Sequence, residues 1–368
     1  MRRAYVLRLR PTARQHVALA SCVDGHRELY NAALQERRGP DQAQWSFSSQ
    51  QATLRRLNKA FAGFFGRVKA GQRPGYLRFK GKARFDSVQW PKDGDGARWL
   101  PDQRRVYLQG VGQVKVHLHR RVEGIVKTVQ VKRQGRRWML VLSCDDVPTK
   151  PLPATGGQAG IDVGVVTYAT LSDGTAVANP RWARQQAGRL EVAQQRLQRA
   201  KRGSNNRVAR RETVAALHRK IANRRKDFHH KQARELAARY DLLVVEDLKI
   251  ANMLRRAKPK PDPDHPEQFL PNGARAKSGL NRSISDAGWG QFVSILRAKA
   301  EDAGRTWIEV DPRHTSDGCE RCGHAAPENR VTQAEFVCQR CGHTAPADEH
   351  AARNILRAGL ALHAAHAA

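Results

Sequence analysis

Three carboxylates and four thiols stand out among the 368 residues as groups able to do chemistry. In AGIDVGVVTYATLSDGT, residues 159–175, β-branched and apolar side chains predict a strand over 161–171, and Asp162 is the one charged residue within it. Asp173 and Gly174 supply a turn that folds it into a hairpin with residues 175–177. An ionised carboxylate buried in a strand demands compensation, from a cationic side chain, from protonation, or from a metal shared with other acids. Two later acids have the same look. Leu242, Leu243, Val244 and Val245 form the continuous apolar run that a parallel strand covered on both faces requires, and it ends in Glu246 and Asp247. Asp348 opens the last helical stretch, ADEHAARNIL. Acids this far apart in sequence converge only where the two strands lie side by side.

The thiols come in pairs. Cys319 and Cys322, then Cys338 and Cys341, are CxxC motifs separated by fifteen residues, which is the spacing of a zinc ribbon. Four thiolates would close a tetrahedral site around one structural Zn²⁺, so His324 and His343, just after the knuckles, are not needed as ligands. Gly323 and Gly342 allow the positive φ that turns backbone N–H groups toward the sulfurs. A lone thioredoxin-like redox site does not explain two paired motifs. Cys22 and Cys144 stand apart in a predicted helix and strand, so cysteine usage speaks for metal in a reducing compartment rather than a disulfide framework.

Sixty-six Lys and Arg against 34 Asp and Glu give a formal charge of +32, spread along the whole chain. A polyanion is the expected partner, and nucleic acid rather than anionic membrane, because the basic residues are dispersed instead of gathered on one amphipathic patch. No apolar run has the length of a membrane span and the start MRRAYVLRLRP lacks a signal-peptide core, so an intracellular protein is expected. The length allows two or three cores.

The elements that must position these groups follow from periodicity. Residues 4–10 read as a strand with Tyr5, Leu7 and Leu9 on one face; Pro11 ends it, and Thr12 and Gln15 have capping-box spacing. Leu19, Cys22, Val23, His26, Tyr30 and Leu34 continue as a helix to about residue 38, with His26 a packed core residue. Gly39-Pro40 breaks it, and Leu54, Leu57, Phe61, Phe64, Phe65 and Val68 define a second helix. Residues 73–90 interleave Tyr76, Phe79 and Phe85 with Arg78, Lys80, Lys82 and Arg84, a pattern that serves equally for stacking bases or for a charged edge strand. From 104 to 144 the period becomes two, with a slip between Val126 and Val129, which predicts a small antiparallel barrel or sandwich joined by the first strand. Residues 145–157 hold three prolines and two glycines and read as a linker. Helices are expected over 181–202 and, after an interruption at 203–206, over 207–240. On the second, Leu217, Ile221, Phe228 and Leu236 face inward. Arg219, Lys220, Arg224, Arg225, Lys226 and Lys231 face outward, and no acid lies between Arg219 and Arg225, which favours a nucleic-acid groove. Five prolines in 249–281 predict a mobile loop placed as a lid after Glu246. A helix from residue 283, burying Trp289, Phe292, Leu296 and Ala300, and a final core strand at Trp307–Val310 complete the order.

GIDVG, VVEDL and DEHAARNI, in this order and with the cysteine cluster just before the third, resemble the TnpB proteins, as do SISDAGWGQF and RRKDFHHK. These are transposon-encoded, RNA-guided DNA endonucleases akin to the type V CRISPR effectors. The resemblance implies an α/β and mixed multidomain protein with an RNase H-like RuvC nuclease core at 158–316 and 345–368. A zinc ribbon, the target nucleic-acid-binding module, would occupy 317–344. A wedge β-barrel at 1–10 and 70–147 would carry a helical recognition insertion at 11–69, with 148–157 as linker. It implies that Asp162, Glu246 and Asp348 hold two Mg²⁺ or Mn²⁺ ions for phosphodiester hydrolysis; the neighbouring Asp247 could substitute for Glu246, but Glu246 is the residue that aligns with the family's VxEDL pattern. It further implies a guide RNA from the element's own end, a double-stranded DNA target beside a short flanking motif close to the FK-rich segment, a monomeric state, and a bacterial or archaeal cytoplasmic setting on the nucleoid. One departure is visible: the family's third motif commonly reads DxNAAxNI, and His350 here replaces an Asn. A catalytically idle RNA-guided repressor would be favoured if any of the three acids were missing, and none is; a guide-independent, structure-specific nuclease would not need the N-terminal modules.

Overall fold

Alternate burial along the first strand, with Tyr5, Leu7 and Leu9 inside, gives β1 (Arg3–Arg10) one face to pack. The computed structural model describes residues 1–35, 44–82, 84–265 and 267–367. They form two units, Met1–Pro148 and Thr149–Ala368.

In the first unit α1 (Ala13–Gln35) starts behind a reciprocal cap, in which the Thr12 N–H donates to Gln15 Oε1 at 3.1 Å and the Gln15 N–H to Thr12 Oγ1 at 3.3 Å. His26 is fully buried, donating from Nδ1 to Cys22 O at 2.8 Å with Nε2 2.9 Å from Ser49 Oγ, and burial holds its pKa down. The expected helix end near residue 38 and the Gly39-Pro40 break lie outside the described residues. α2 (Phe47–Lys69) buries Leu57, but Phe65 and Val68 are 55% and 48% exposed, so the second half of its apolar stripe is not core. The strands β2 (Ser87–Trp90), β3 (Ala97–Leu100), β4 (Arg105–Leu108), β5 (Gly112–His117), β6 (Ile125–Gln134) and β7 (Arg137–Asp145) join β1 in an antiparallel sheet of order β2-β6-β7-β1-β5-β4-β3. The slip read from the sequence is a bulge in β6 between Val126 and Thr128. All seven strands feed one core containing Trp90, Trp99, Val106, Trp138 and Leu140, while the sheet itself stays open, ending in β2 and β3.

The second unit is a mixed α/β assembly. The stretch expected as one strand over 161–171 is two, β8 (Gln158–Val163) and β9 (Thr167–Leu171), followed by β10 (Ala176–Ala178) across the Asp173-Gly174 turn. The local composition was right for strand, but the reversal at Gly164 brings no turn dipeptide with it, so period alone could not split the run. Helices α3 (Trp182–Gln185), α4 (Ala187–Arg199) and α5 (Asn205–Arg239) lead to β11 (Leu242–Glu246). Ser204 caps α5 by accepting from the Arg207 N–H, so the helix begins inside the expected interruption. After α6 (Ile250–Met253), α7 (Ala274–Ala287) starts nine residues ahead of the expected position, and Gly288 in the left-handed region separates it from α8 (Trp289–Asp302). The proline-rich segment before α7 is tied at its base, with Lys277 Nζ donating to Met253 O and Asn272 Nδ2 to Lys258 O, both at 2.7 Å. β12 (Thr306–Val310) lies at the sheet edge, half-exposed rather than core. The ribbon hairpin β13 (Glu335–Val337) and β14 (Thr344–Pro346) then delivers α9 (Ala347–Ala367).

The sheet order is β10-β9-β8-β11-β12; β8, β11 and β12 are parallel, and β9 is antiparallel to both neighbours. Successive residues of β11 face opposite ways. Leu243 and Val245 join Ile161, Trp289, Phe292 and Leu296 in one core, whereas Leu242 and Val244 pack with Val310 and Ile355 of α9 in another. The segment after Pro148 is fastened to this unit by Arg305, which donates to Pro153 O and Ala237 O and pairs with Asp241 at 2.5 Å. Asp241 in turn accepts the Thr155 and Gly156 N–H groups.

Candidate active site and metal centre

Register places the first two acids. Val244 pairs with Gly160 and Val245 with Ile161 across parallel β11 and β8, so the next residues along, Glu246 and Asp162, stand beside each other one strand spacing apart. Both share the face of Gly160 and Val244, which is the face α9 covers. The helix approaches so closely that a Cβ on Gly160 would fall 2.2 Å from the Ala352 carbonyl, and one on Gly359 would fall 2.5 Å from the Val244 methyls. Asp348 lies in the first turn of this helix. The three acids therefore gather at the C-terminal edge of two adjacent strands. Burial, with the negative charges of Glu246 and Asp348 next in order, pushes the Asp162 carboxyl up to about 7 despite Arg330 and the Val163 N–H. Burial also raises Glu246, opposed by a hydrogen bond from Thr315, whose hydroxyl donates to Glu246 Oε1 at 2.5 Å. Arg330 Nη2 lies 3.3 Å from Asp348 Oδ1. The three carboxylates do not all lie within 4.8 Å of one another, as the thiols of the ribbon do. Asp247, just past the end of β11, pairs with Lys249.

The four cysteines converge as ligands would. Cys319 Sγ is 3.7 Å from Cys341 Sγ and Cys322 Sγ 3.6 Å from Cys338 Sγ, close to the roughly 3.8 Å edge of a tetrahedron with 2.3 Å Zn–S bonds. Gly323 and Gly342 have φ of +71° and +69° and close the knuckles by donating to Cys319 O and Cys338 O. The set fits a structural zinc. A second group, Glu320, His343 and His350, also draws together, but its centre is already served by protein donors: His343 Nε2 at 2.9 Å and Arg353 Nη1 at 3.2 Å on Glu320. His350, the departure from the third motif, does not face the acids. It is fully buried, stacked on Phe336 at 3.7 Å, with Nε2 2.9 Å from Gly318 O, and so fastens α9 to the ribbon.

Residues singled out for nucleic acid divide. In the first unit Tyr76 and Phe79 are 70% and 57% exposed, whereas Phe85 is buried against Tyr30. Arg78, Lys80 and Arg84 line a groove of about 400 Å³ with Lys59 and Arg67, two cations the sequence did not flag, while Lys82 leans on Asp24 at 3.8 Å. On α5, Lys220, Arg224 and Lys226 are exposed and Arg219 is half-buried. Arg224 also lies over the Trp182 ring. Arg225 does not face out: its guanidinium donates to Ser285 O at 3.0 Å and Asp286 O at 3.3 Å, closing the end of α7. Lys231 pairs with Asp227. Arg225 and His218 line a cavity of about 1040 Å³ together with Arg256, Lys277 and Arg282. These last three come from the proline-rich segment and the unexpected start of α7, where isolated cations carry no periodic signal.

The fold and site define a mixed α/β protein with a four-cysteine ribbon and three carboxylates gathered where α9 meets the central sheet. Residues 104–257 match a family described as "Probable transposase", 289–355 one described as "Cas12f1-like, TNB domain", and 1–39 one described as "Helix-turn-helix domain". "Putative RNA-guided DNA endonuclease InsQ" of Escherichia coli K12 is 32% identical over 333 residues, 89% of this chain and 79% of that protein. A "Putative RNA-guided DNA endonuclease" of Streptomyces pristinaespiralis is 32% identical over 320 residues, 85% of this chain and 72% of that one. Among solved structures, CasPhi-2 (Cas12j) bound to crRNA covers 98% of both chains at 11% identity with a TM-score of 0.46. The chain belongs to the TnpB family.

Proposed function

We propose that this chain is an RNA-guided DNA endonuclease of a transposable element, cutting target DNA beside a short flanking motif. The second unit is read as an RNase H-like RuvC core, 158–316 and 345–368, with the ribbon at 317–344 inserted before its last helix. Residues 1–10 and 70–147 form the wedge and 11–69 the recognition insertion. What carries the reading is the placement of Asp162, Glu246 and Asp348 on one face at the ends of β8 and β11 and the start of α9, in a member of this family.

The acids fit divalent cations on their own chemistry. Three carboxylates crowd a site where burial and mutual repulsion already lift Asp162, and hard oxygen ligands suit Mg²⁺ or Mn²⁺. Two such ions, when bound, would activate a water and stabilise the leaving 3′-oxygen. Asp162 sits centrally, within the influence of both other acids; Glu246 is held from the side by Thr315 and Asp348 by Arg330. The basic groove of the first unit and the cation-lined cavity of the second offer surfaces for guide and target backbone, with Tyr76 and Phe79 free to stack on bases.

The decisive experiment is purification from cells that also express the flanking genomic sequence, followed by sequencing of the RNA that comes with the protein. A discrete RNA species is expected, and its absence would remove the guided reading. Asp162→Ala should abolish cleavage and keep DNA binding; retained cutting would move the chemistry elsewhere. Native mass spectrometry should find one zinc, lost in Cys319→Ser.

A further inference from the structure

The strap at residues 311–318, between β12 and the first cysteine knuckle, touches both the strand acid and the acid-bearing helix. Thr315 is its joint. Only 4% exposed, it donates its hydroxyl to Glu246 Oε1 at 2.5 Å. The Pro312 carbonyl, 2.9 Å from the same oxygen, competes for that proton, and an ionised carboxylate is the stronger acceptor. The Thr315 carbonyl accepts from Asn354 Nδ2 of α9 at 3.0 Å, and the same Nδ2 donates to Gly318 O at 2.7 Å. Asn354 and His350, which both reach Gly318 O, are 4% and 0% exposed, so this anchor is shielded from water. One residue thus grips Glu246 with its side chain and the helix of Asp348 with its main chain.

We propose that Thr315 is a positioning residue that fixes Glu246 relative to Asp348 and so sets the spacing at which the acids hold divalent cations. This rests on the reading of the three acids as cation ligands. The hydroxyl occupies one carboxylate oxygen and leaves the other for an ion. Its β-branched side chain has little rotamer freedom, so the contact is stiff. A hydroxyl is needed, and a methyl in its place leaves Glu246 free to turn.

The test uses the protein assembled with its guide RNA, in three forms: the parent, Thr315→Val and Thr315→Ser. Mn²⁺ binding is followed by electron paramagnetic resonance, and cleavage is followed against Mg²⁺ concentration. Thr315→Val should weaken Mn²⁺ binding and raise the Mg²⁺ requirement by roughly 10- to 100-fold, the usual effect of losing a residue that orients a metal ligand. Melting temperature, zinc content and DNA binding should hold, and Thr315→Ser should restore most of the loss. Parental Mn²⁺ affinity in Thr315→Val, or a Thr315→Ser as defective as Thr315→Val, would overturn the proposal. If Thr315→Val does not assemble, Thr315→Ala decides on the same readouts. Asp162→Ala run in parallel separates the two levels: parental Mn²⁺ binding and cutting there sinks the acid site itself, whereas its loss beside an unaffected Thr315→Val sinks only the role of Thr315.

Discussion

At the scale of residues, Asp162 carries the strongest consequence. Its carboxyl is raised from 3.8 to about 7, chiefly by burial and then by Glu246 and Asp348. Between those values the folded state holds a proton that the unfolded chain has released, so metal-free protein loses stability as pH rises through this window. Divalent cations relieve the repulsion only where the acid is ionised. Melting with and without Mg²⁺ should therefore show a larger stabilisation at pH 8 than at pH 6, and the Mg²⁺ needed for half-maximal cleavage should climb as pH falls below about 7. Equal stabilisation at both values would mean that Asp162 does not meet the ion. Phe85 teaches a different lesson. It belongs to the same aromatic and basic run as Tyr76 and Phe79, yet it is buried while they are exposed, and composition alone gave no means to separate them.

At the scale of elements, the contact between β8 and α9 decides whether the acids meet. Gly160 is what permits it, because any side chain there would collide with the Ala352 carbonyl and the Leu356 N–H at 2.2 and 2.5 Å, both helix backbone that cannot rotate away. Gly160→Ala should cost about 1–3 kcal/mol of stability, as overpacking does. It should also reduce cleavage more than nucleic-acid binding, since the displaced helix takes Asp348 with it. A variant that cuts at the parental rate would show that the acids tolerate a shifted α9. The ribbon is the other element that bears on the site. Its Arg330 reaches Asp348, its Gly318 and Phe336 hold His350 of α9, and the strap that leads into it grips Glu246 through Thr315, so it is fastened to the acids as well as being the candidate zinc site.

For the whole molecule, the formal charge of +32 is spread over both units. Binding of nucleic acid should weaken steeply with salt, the slope of log affinity against log salt being about −0.9 for each phosphate contacted on duplex DNA. A filter-binding series in increasing NaCl measures this, and a flat response would leave the excess charge without its expected partner. Replacing Arg78 and Arg84 with Ala should lower the slope without changing the melting temperature, because both are exposed and line the groove of the first unit.

Period and spacing are local properties of the chain, and what depends on them was legible from the sequence alone. The alternation in β1, the reciprocal cap of α1, the bulge in β6, the paired cysteines and the three acids with their elements belong here. What needed the folded molecule were the contacts that join distant segments. The division of residues 161–171 into two strands, the early start of α7, the use of Arg225 on the end of α7 and the exposure of Phe65 and Val68 all turn on which neighbour a side chain meets. So does Thr315, which gave no sign in the sequence because its partner is 69 residues away. A repeat shows that a segment has an apolar face, but only packing and hydrogen-bond satisfaction across the fold decide what that face covers.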